Sequence, residues 1–282
     1  MKFLILMLSL LLQRQTSRSG YRRKRLWFAR LLQPFALQQQ NTPLQVLVYF
    51  LAVVVPCIVL AVLLNHMDGL LLGALAVLLQ VGLFLYVLGR DDFNARLSCY
   101  REAWQRQDYQ AAFECARGFL SLQAQTSVIK AESLHFAVSD ALNYAWFIRF
   151  FVPVFWFMFF GLPGAFLWLF SFWFMLELKR EWSDNLINAL LWIPARLLAL
   201  TFCLAGDFVA GFKEVMKSLR NPELAADVLL ADAARTALGK QSTQDFDAQQ
   251  ALQQLDEQHG LLLRAAIIWL VIIAAATISG HL

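Results

Sequence analysis

The chain of 282 residues is too apolar to be a soluble protein. Hydrophobic residues make up 59% of it, charged residues only 16%, and the mean hydropathy is +0.54. Soluble domains are about 45–50% apolar and about 25% charged, and a core of this size cannot hide the excess. The apolar residues form continuous runs, which predict membrane-spanning helices and exclude an alternating β-barrel. Disordered, collagen-like and low-complexity proteins are excluded as well.

The net charge and the cysteines limit the partners and cofactors that we expect. The net charge of +4 and the pI of about 9.0 indicate anchoring on the cytoplasmic side, and we expect no nucleic-acid partner. The four cysteines (Cys57, Cys99, Cys115 and Cys203) form no Cys-x-x-Cys pair. We predict that all four are reduced packing residues. No phosphate-binding loop or metal-ligand spacing occurs, so no cofactor and no metal are expected.

The first 44 residues predict a membrane-surface segment. The apolar run near the N-terminus has about ten residues, whereas a span needs about 20, so we predict a short or re-entrant helix. Most cations follow this run instead of preceding it, which argues against a signal peptide. Residues 14–44 contain no Asp or Glu and mix Arg and Lys with Trp27 and Phe28. This composition is typical of a helix lying on anionic lipid headgroups.

Two spans and a soluble region follow. Gln45–Leu64 and Leu70–Leu88 are long enough to cross the bilayer, and the turn between them, which includes Asp68, has no Lys or Arg. The positive-inside rule therefore predicts an external turn with cytoplasmic flanks. Residues 89–146 show helical periodicity, and Asp108 is expected to be the N-cap of one helix.

The second half of the chain predicts interrupted spans. Phe147–Leu176 is apolar apart from Gly161–Gly164, and cations lie on both sides of it. A hairpin that turns at the glycines keeps these cations on one side of the membrane, and we favour it over a single tilted span. Leu186–Leu204 is the next apolar run. If this run crosses the membrane once, residues 206–260 lie on the outer side; if it crosses only halfway, they are cytoplasmic. The sequence leaves both possibilities open.

Residues 206–260 predict two amphipathic helices and a linker. The first contains Phe208, Phe212 and Met216 and ends at Asn221-Pro222; the second runs from about Glu223 to Leu238. The Gln-rich stretch 240–260 is expected to be a mobile linker.

The predicted fold is all-α: a polytopic helical membrane protein with short or re-entrant helices and amphipathic helices outside the bilayer. Its segments are a short helix and basic surface segment (1–44), a transmembrane hairpin (45–88), a cytoplasmic helical segment (89–146), a broken hairpin with the following helix (147–205), amphipathic helices and linker (206–260) and a last span (261–282).

Arg196 is the leading candidate for a ligand contact. An Arg inside an apolar helix costs at least about 2.5 kcal/mol unless it is paired or hydrated. It follows Pro194, which frees a carbonyl one turn back. A structural Arg and an Arg that binds a small anionic ligand are equally compatible with this pattern. In either case we expect it to be buried against an acid, a freed carbonyl or a bound anion.

Four further residues complete the candidate site. Asp184 and Asn188 share a helical face that could extend toward Arg196, although Asp184 is equally well explained as a helix N-cap. Trp192 lies one turn before Arg196. Arg149 lies near the end of its apolar arm, where snorkelling to the interface explains it without a function.

The segment Leu190–Leu197 resembles a motif of two related membrane-protein families. Its Trp-Ile-Pro-Ala-Arg-Leu is similar to the Trp-Ile/Val-Pro-Ala/Val-Arg-Leu of AmpE proteins, which are associated with β-lactamase regulation. It is also similar to the Pro-Ala-Arg-Leu segment of the cobalamin-biosynthesis proteins CobD and CbiB. Arg149–Trp156 resembles an AmpE stretch, Asp184 matches an AmpE acid, and Gly89-Arg90 resembles the end of an early CobD span.

The departures favour AmpE. CobD-type proteins form an amide with ATP and carry paired acids before their two prolines. The positions that correspond to the first pair of acids are Tyr144 and Ile148, and those of the second pair are Ile187 and Asn188. A magnesium–nucleotide site needs such carboxylates.

The resemblance therefore implies a non-enzymatic inner-membrane accessory or signalling protein linked to cell-wall recycling, with membrane lipids and an unknown protein as partners. A divergent amide ligase and a permease for a cell-wall metabolite are the alternatives.

Overall fold

The protein is all-α. The computed structural model describes residues 2–15, 26–30, 32, 42–66, 70–89, 93–120, 131–178, 181–219, 221, 224–239 and 248–280. Nearly all of these residues are helical, and no strand occurs among them. The predicted fold class is confirmed. Most of the basic segment 14–44, and Asp68 in the turn that is predicted to be external, lie outside the described residues.

Twelve α-helices and two π-helices have defined bounds within the described ranges. They are α1 (Lys2–Gln15), α2 (Thr42–Tyr49), π1 (Phe50–Val54), α3 (Val55–Asn65), α4 (Leu70–Leu88), α5 (Phe93–Gln105), α6 (Tyr109–Arg117), α7 (Ala131–Trp146), π2 (Phe147–Phe151), α8 (Val152–Leu178), α9 (Glu181–Ala205), α10 (Phe208–Leu219), α11 (Ala226–Ala237) and α12 (Ala248–Ile278).

Four helical stretches are long and apolar enough to cross a membrane: Gln45–Asn65, Ala131–Glu177, Trp182–Ala205 and Gln250–Ile278. They identify the chain as a membrane protein. The last stretch belongs to α12, which begins at Ala248, so the predicted linker is helical over its second half. Its Gln and Asp side chains do not disrupt the helix because Leu255 and Ala251 are fully buried at helical spacing.

Each π-helix precedes a proline. π1 ends two residues before Pro56, and π2 ends two residues before Pro153. A proline ring clashes with the carbonyl of the residue four places back, which here falls inside the π-helix. The wider turn, in which the N–H of Val55 bonds to Phe50 O, relieves that crowding. The predicted segment boundary at 146/147 is therefore a π-turn within continuous helix.

The break expected at Gly161–Gly164 lies at its first residue. Gly161 has φ 65° and ψ −155°, a conformation that only glycine adopts readily, and it interrupts α8. Pro163 then stands inside the second part of the helix. Gly164 is also constrained, because a side chain there would meet the carbonyl of Trp156.

The first of two compact units comprises residues 1–91, 149–191 and 272–282. Aromatic rings dominate its interior: Phe28 stacks on Phe170 with the centroids 5.5 Å apart. Two side-chain hydrogen bonds cross this interior. One joins Tyr49 Oη and Ser171 Oγ at 2.9 Å, and the other runs from Trp182 Nε1 to Gln45 Oε1 at 3.0 Å.

The second unit comprises residues 92–148 and 192–271. α5 and α6 form a hairpin whose turn includes Gln107 with φ 59°. Asp108 caps α6 by accepting a hydrogen bond from the Ala111 N–H at 2.9 Å, which confirms the predicted N-cap. α7 and α11 are joined by an ion pair between Asp140 and Arg235 at 2.6 Å.

Two of the four cysteines are bonded. Cys99 on α5 and Cys115 on α6 form a disulfide, with Cα atoms 5.9 Å apart. The prediction that all four are reduced is wrong for this pair. The spacing of 16 residues gave no signal in the sequence, because the two positions meet only once the hairpin has formed. Cys57 and Cys203 are free and buried, as predicted.

Candidate functional site

Arg196 is buried in the second unit. It lies on α9 nine residues before the end of that helix, and only 7% of its surface is exposed. Its Nη1 donates to Trp192 O at 3.2 Å, one turn back on the same helix. Its Nη2 donates to Asn221 O at 2.9 Å, just beyond the end of α10. The expected burial against carbonyl oxygen is thus observed.

The indole of Trp192 covers the guanidinium. Cζ of Arg196 lies 4.0 Å from the centroid of the ring, which is cation–π geometry. The indole itself is 43% exposed. Residues Trp192 and Arg196 therefore form one stacked pair on consecutive turns, because side chains four apart lie on the same side of a helix.

The positive charge of Arg196 has no carboxylate partner within the described part of the chain. Its Nε is buried and has no hydrogen-bond partner there. Instead, the carbonyl of Asn221 lies at the C-terminal end of α10, where the helix dipole is negative, and this compensates part of the charge. Two of the five N–H groups of the guanidinium are thus held by carbonyls, and the Nε–H remains for a further oxygen.

Asp184 and Asn188 belong to the first unit, and both are exposed on α9. Leu191 and Ala195, which helical spacing places on the same face, are buried at 2% and 0% exposure, so this face is polar and exposed only at its beginning. Helical spacing fixes the direction of a side chain, whereas burial depends on which neighbours pack against each turn. Nor is Asp184 an N-cap, because α9 begins at Glu181.

Arg149 belongs to the first unit. It lies in the middle of π2, and its side chain is half-buried. Of the five candidate residues, Trp192 and Arg196 form a contact pair in the second unit, and Asp184, Asn188 and Arg149 belong to the first unit.

The sequence did not reveal Asn221 as a partner of Arg196. It contributes a backbone carbonyl, which any residue type provides, so no residue pattern could have identified it. The proline that follows it was the available signal, because Asn-Pro ends α10 and leaves late carbonyls outside the helix.

A second buried polar group lies in the same unit. Tyr100 Oη and His135 Nδ1 are 3.5 Å apart, and both side chains are buried. Burial raises the pKa of the Tyr100 hydroxyl far above its usual range. On α7, Asn143 is 2% exposed, and its Oδ1 has no partner among the described residues. His135 and Asn143 lie eight residues apart, a helical spacing that we did not single out in the sequence.

No cluster of His, Cys, Asp or Glu in the described ranges has the geometry of a metal site. The chemistry open to Arg196 is recognition of an oxygen-rich anion through its Nε–H and the charge of the guanidinium. Comparison with known proteins gives no match: no family model, no curated protein and no solved structure is similar to the chain.

Proposed function

We propose that the chain is a non-enzymatic accessory or signalling protein of the AmpE type in the bacterial inner membrane, which binds a small anionic ligand at Arg196. The observation that best supports ligand binding is the buried guanidinium, which has a free Nε and no carboxylate partner in the described part of the chain. The resemblance of Leu190–Leu197 to the AmpE segment supports the link to β-lactamase regulation and cell-wall recycling.

Ligand binding is tested by thermal unfolding of the purified protein in detergent. The probes are inorganic phosphate and a muramyl peptide, a carboxylated fragment of peptidoglycan, each compared with chloride at equal ionic strength. We expect a probe to raise the unfolding temperature of the native protein but not of Arg196→Leu. Arg264→Leu is the matched control, because Arg264 is another cation of an apolar helix but is exposed. An equal shift in all three proteins would contradict ligand binding at Arg196.

The signalling role is tested in cells that carry an inducible β-lactamase. The chromosomal gene is replaced by the Arg196→Leu or the Arg264→Leu variant, and β-lactamase activity is measured after induction. We expect Arg196→Leu to behave like a deletion of the gene and Arg264→Leu to behave like the native gene. ATP hydrolysis or corrinoid amide formation by the purified protein would overturn the proposal in favour of a ligase.

One observation favours a permease as the second candidate. The non-helical residue Gly161 interrupts an apolar stretch long enough to span a membrane. Transporters use broken helices of this kind to line a substrate pathway. Flux of a muramyl peptide into proteoliposomes, abolished by Gly161→Ala, would support this candidate over a signalling protein.

A further inference from the structure

The helix α10 carries an exposed apolar stripe. Phe208, Phe212 and Met216 follow one another at intervals of four residues, and they are 48%, 39% and 39% exposed. The rings of Phe208 and Phe212 stack with centroids 5.1 Å apart, so the stripe is continuous. Contiguous exposed apolar surface of this kind marks an interaction site in a folded protein.

A neighbouring face of α10 packs inward. Val215 is 2% exposed, and a Cβ at Gly211 would lie 3.1 Å from the Sγ of Cys203 on α9. Positions 211 and 215 lie about 80° around the helix from the centre of the stripe. The close approach at Gly211 fixes the rotation of α10, so the stripe of Phe208, Phe212 and Met216 is held beside this contact and stays exposed.

α10 runs back along a membrane-spanning helix. α9 ends at Ala205, α10 begins at Phe208, and Asn221 at the far end of α10 contacts Arg196. The nine residues from Arg196 to Ala205 span about 13 Å of α9. α10 thus lies beside the C-terminal part of a stretch that is apolar enough to cross the bilayer. Leu197 and Leu204 of that stretch are exposed too, at 41% and 61%.

The charges of α10 are also compatible with a position at the membrane surface. Lys213 is exposed, and it lies about 100° around the helix from Phe212. Residues 208–220 contain three cations and one acid. An apolar face flanked by cations is the pattern of a helix that lies at the boundary between acyl chains and anionic headgroups.

We propose that α10 is a lipid-embedded interfacial helix, with Phe208, Phe212 and Met216 inserted into the acyl-chain boundary of the bilayer that α9 crosses. The occupant of the stripe is lipid, neither a second copy of the chain nor another protein. Residues 206–219 then belong to the membrane part of the protein and not to a soluble domain.

The experiment is photo-crosslinking of the full-length protein. p-Benzoylphenylalanine replaces Phe212 in one variant and Lys213 in the matched control, and each is reconstituted into vesicles of phosphatidylethanolamine and phosphatidylglycerol. After irradiation, lipid adducts of the peptide that contains residue 212 are quantified by mass spectrometry. We expect several-fold more lipid adduct from position 212 than from position 213.

Two other outcomes overturn the proposal. A crosslinked dimer from position 212 would show that a second copy covers the stripe. Equal lipid adduct from positions 212 and 213, or none from 212, would show that the stripe is not embedded. p-Benzoylphenylalanine at Met216 provides a second variant. If the variant at position 212 does not fold, the variant at position 216 tests the same proposal.

Discussion

Arg196 is held by two carbonyl oxygens, that of Trp192 four residues before it and that of Asn221 25 residues after it. The guanidinium reaches both because its two Nη atoms point in different directions from a planar group. The sequence identified Arg196 through the cost of a cation in an apolar helix. It did not identify the partners, because one of them is a backbone atom beyond the next helix.

Lys is expected to be a poor substitute at this position. Its ammonium group is a single point on a flexible stem and cannot bond both carbonyls in the fixed geometry, so one charge-assisted hydrogen bond is lost. We expect Arg196→Lys to lower the free energy of unfolding by about 1–3 kcal/mol. This change in free energy is measured by unfolding the protein with sodium dodecyl sulfate in mixed micelles, and Arg264→Lys is the control. A change as small as that of the control would show that the two carbonyl contacts do not stabilise the protein.

Gly161 offers a second test on a single residue. A Cβ at this position would meet only Pro163 Cδ at 3.9 Å, so space is available, but φ is 65°. We expect Gly161→Ala to cost about 1–3 kcal/mol through backbone strain. Gly82→Ala is the control, because Gly82 lies inside α4 with nothing within 4 Å of its Cβ. That change should be neutral or stabilising by about 1 kcal/mol. Equal effects of the two substitutions would contradict the strained conformation.

The disulfide in the hairpin of α5 and α6 bears on the compartment in which this hairpin lies. Disulfides persist in oxidising compartments, whereas the distribution of Lys and Arg predicts a cytoplasmic position for residues 89–146. We expect the bond between Cys99 and Cys115 to be present in protein isolated from cells. Alkylation after unfolding without reductant should then modify two of the four cysteines, and all four with reductant. Modification of all four without reductant would show that the pair is reduced.

The helices α7 and α8 show what periodicity reveals and what it hides. Buried residues follow at intervals of four through Leu134, Val138 and Leu142, then after an interval of five at Phe147, and again at four. The sequence predicts a segment boundary at 146/147 because a continuous apolar run begins at Phe147, whereas the longer interval does not fit a regular 3.6-residue period. The structure accommodates it with π2. The proline two residues beyond π2 was the physical signal.

At the scale of the whole molecule, the all-α class is predictable from the sequence, since apolar runs of sufficient length must be helices in a membrane. Pairing of helices is less predictable. In α9, the positions of one helical face are exposed at Asp184 and Asn188 and buried at Leu191 and Ala195. The contact between Arg196 and the end of α10 arises at this level, and apolar periodicity does not encode it.

The orientation in the membrane is tested by tag accessibility in intact cells and in inverted vesicles. The Lys and Arg distribution predicts that a tag at Asp68 is external and a tag at Gln107 is cytoplasmic. A tag at Gln107 that is accessible from outside would reverse this part of the topology. It would also agree with an oxidised pair at Cys99 and Cys115, so the tag and alkylation experiments must give mutually consistent results.

The wide turn of π2 determines where one residue can be deleted without disturbing the helices that follow. Deletion of Ala145 would turn the single interval of five between Leu142 and Phe147 into four, so every later buried residue would keep its direction on a regular helix. Deletion of Phe172, inside α8, would instead rotate the rest of that helix by about 100°. We therefore expect the first shortened protein to remain monodisperse in gel filtration and the second to aggregate. Two misfolded products would contradict this, and natural relatives one residue shorter should lack their residue at π2.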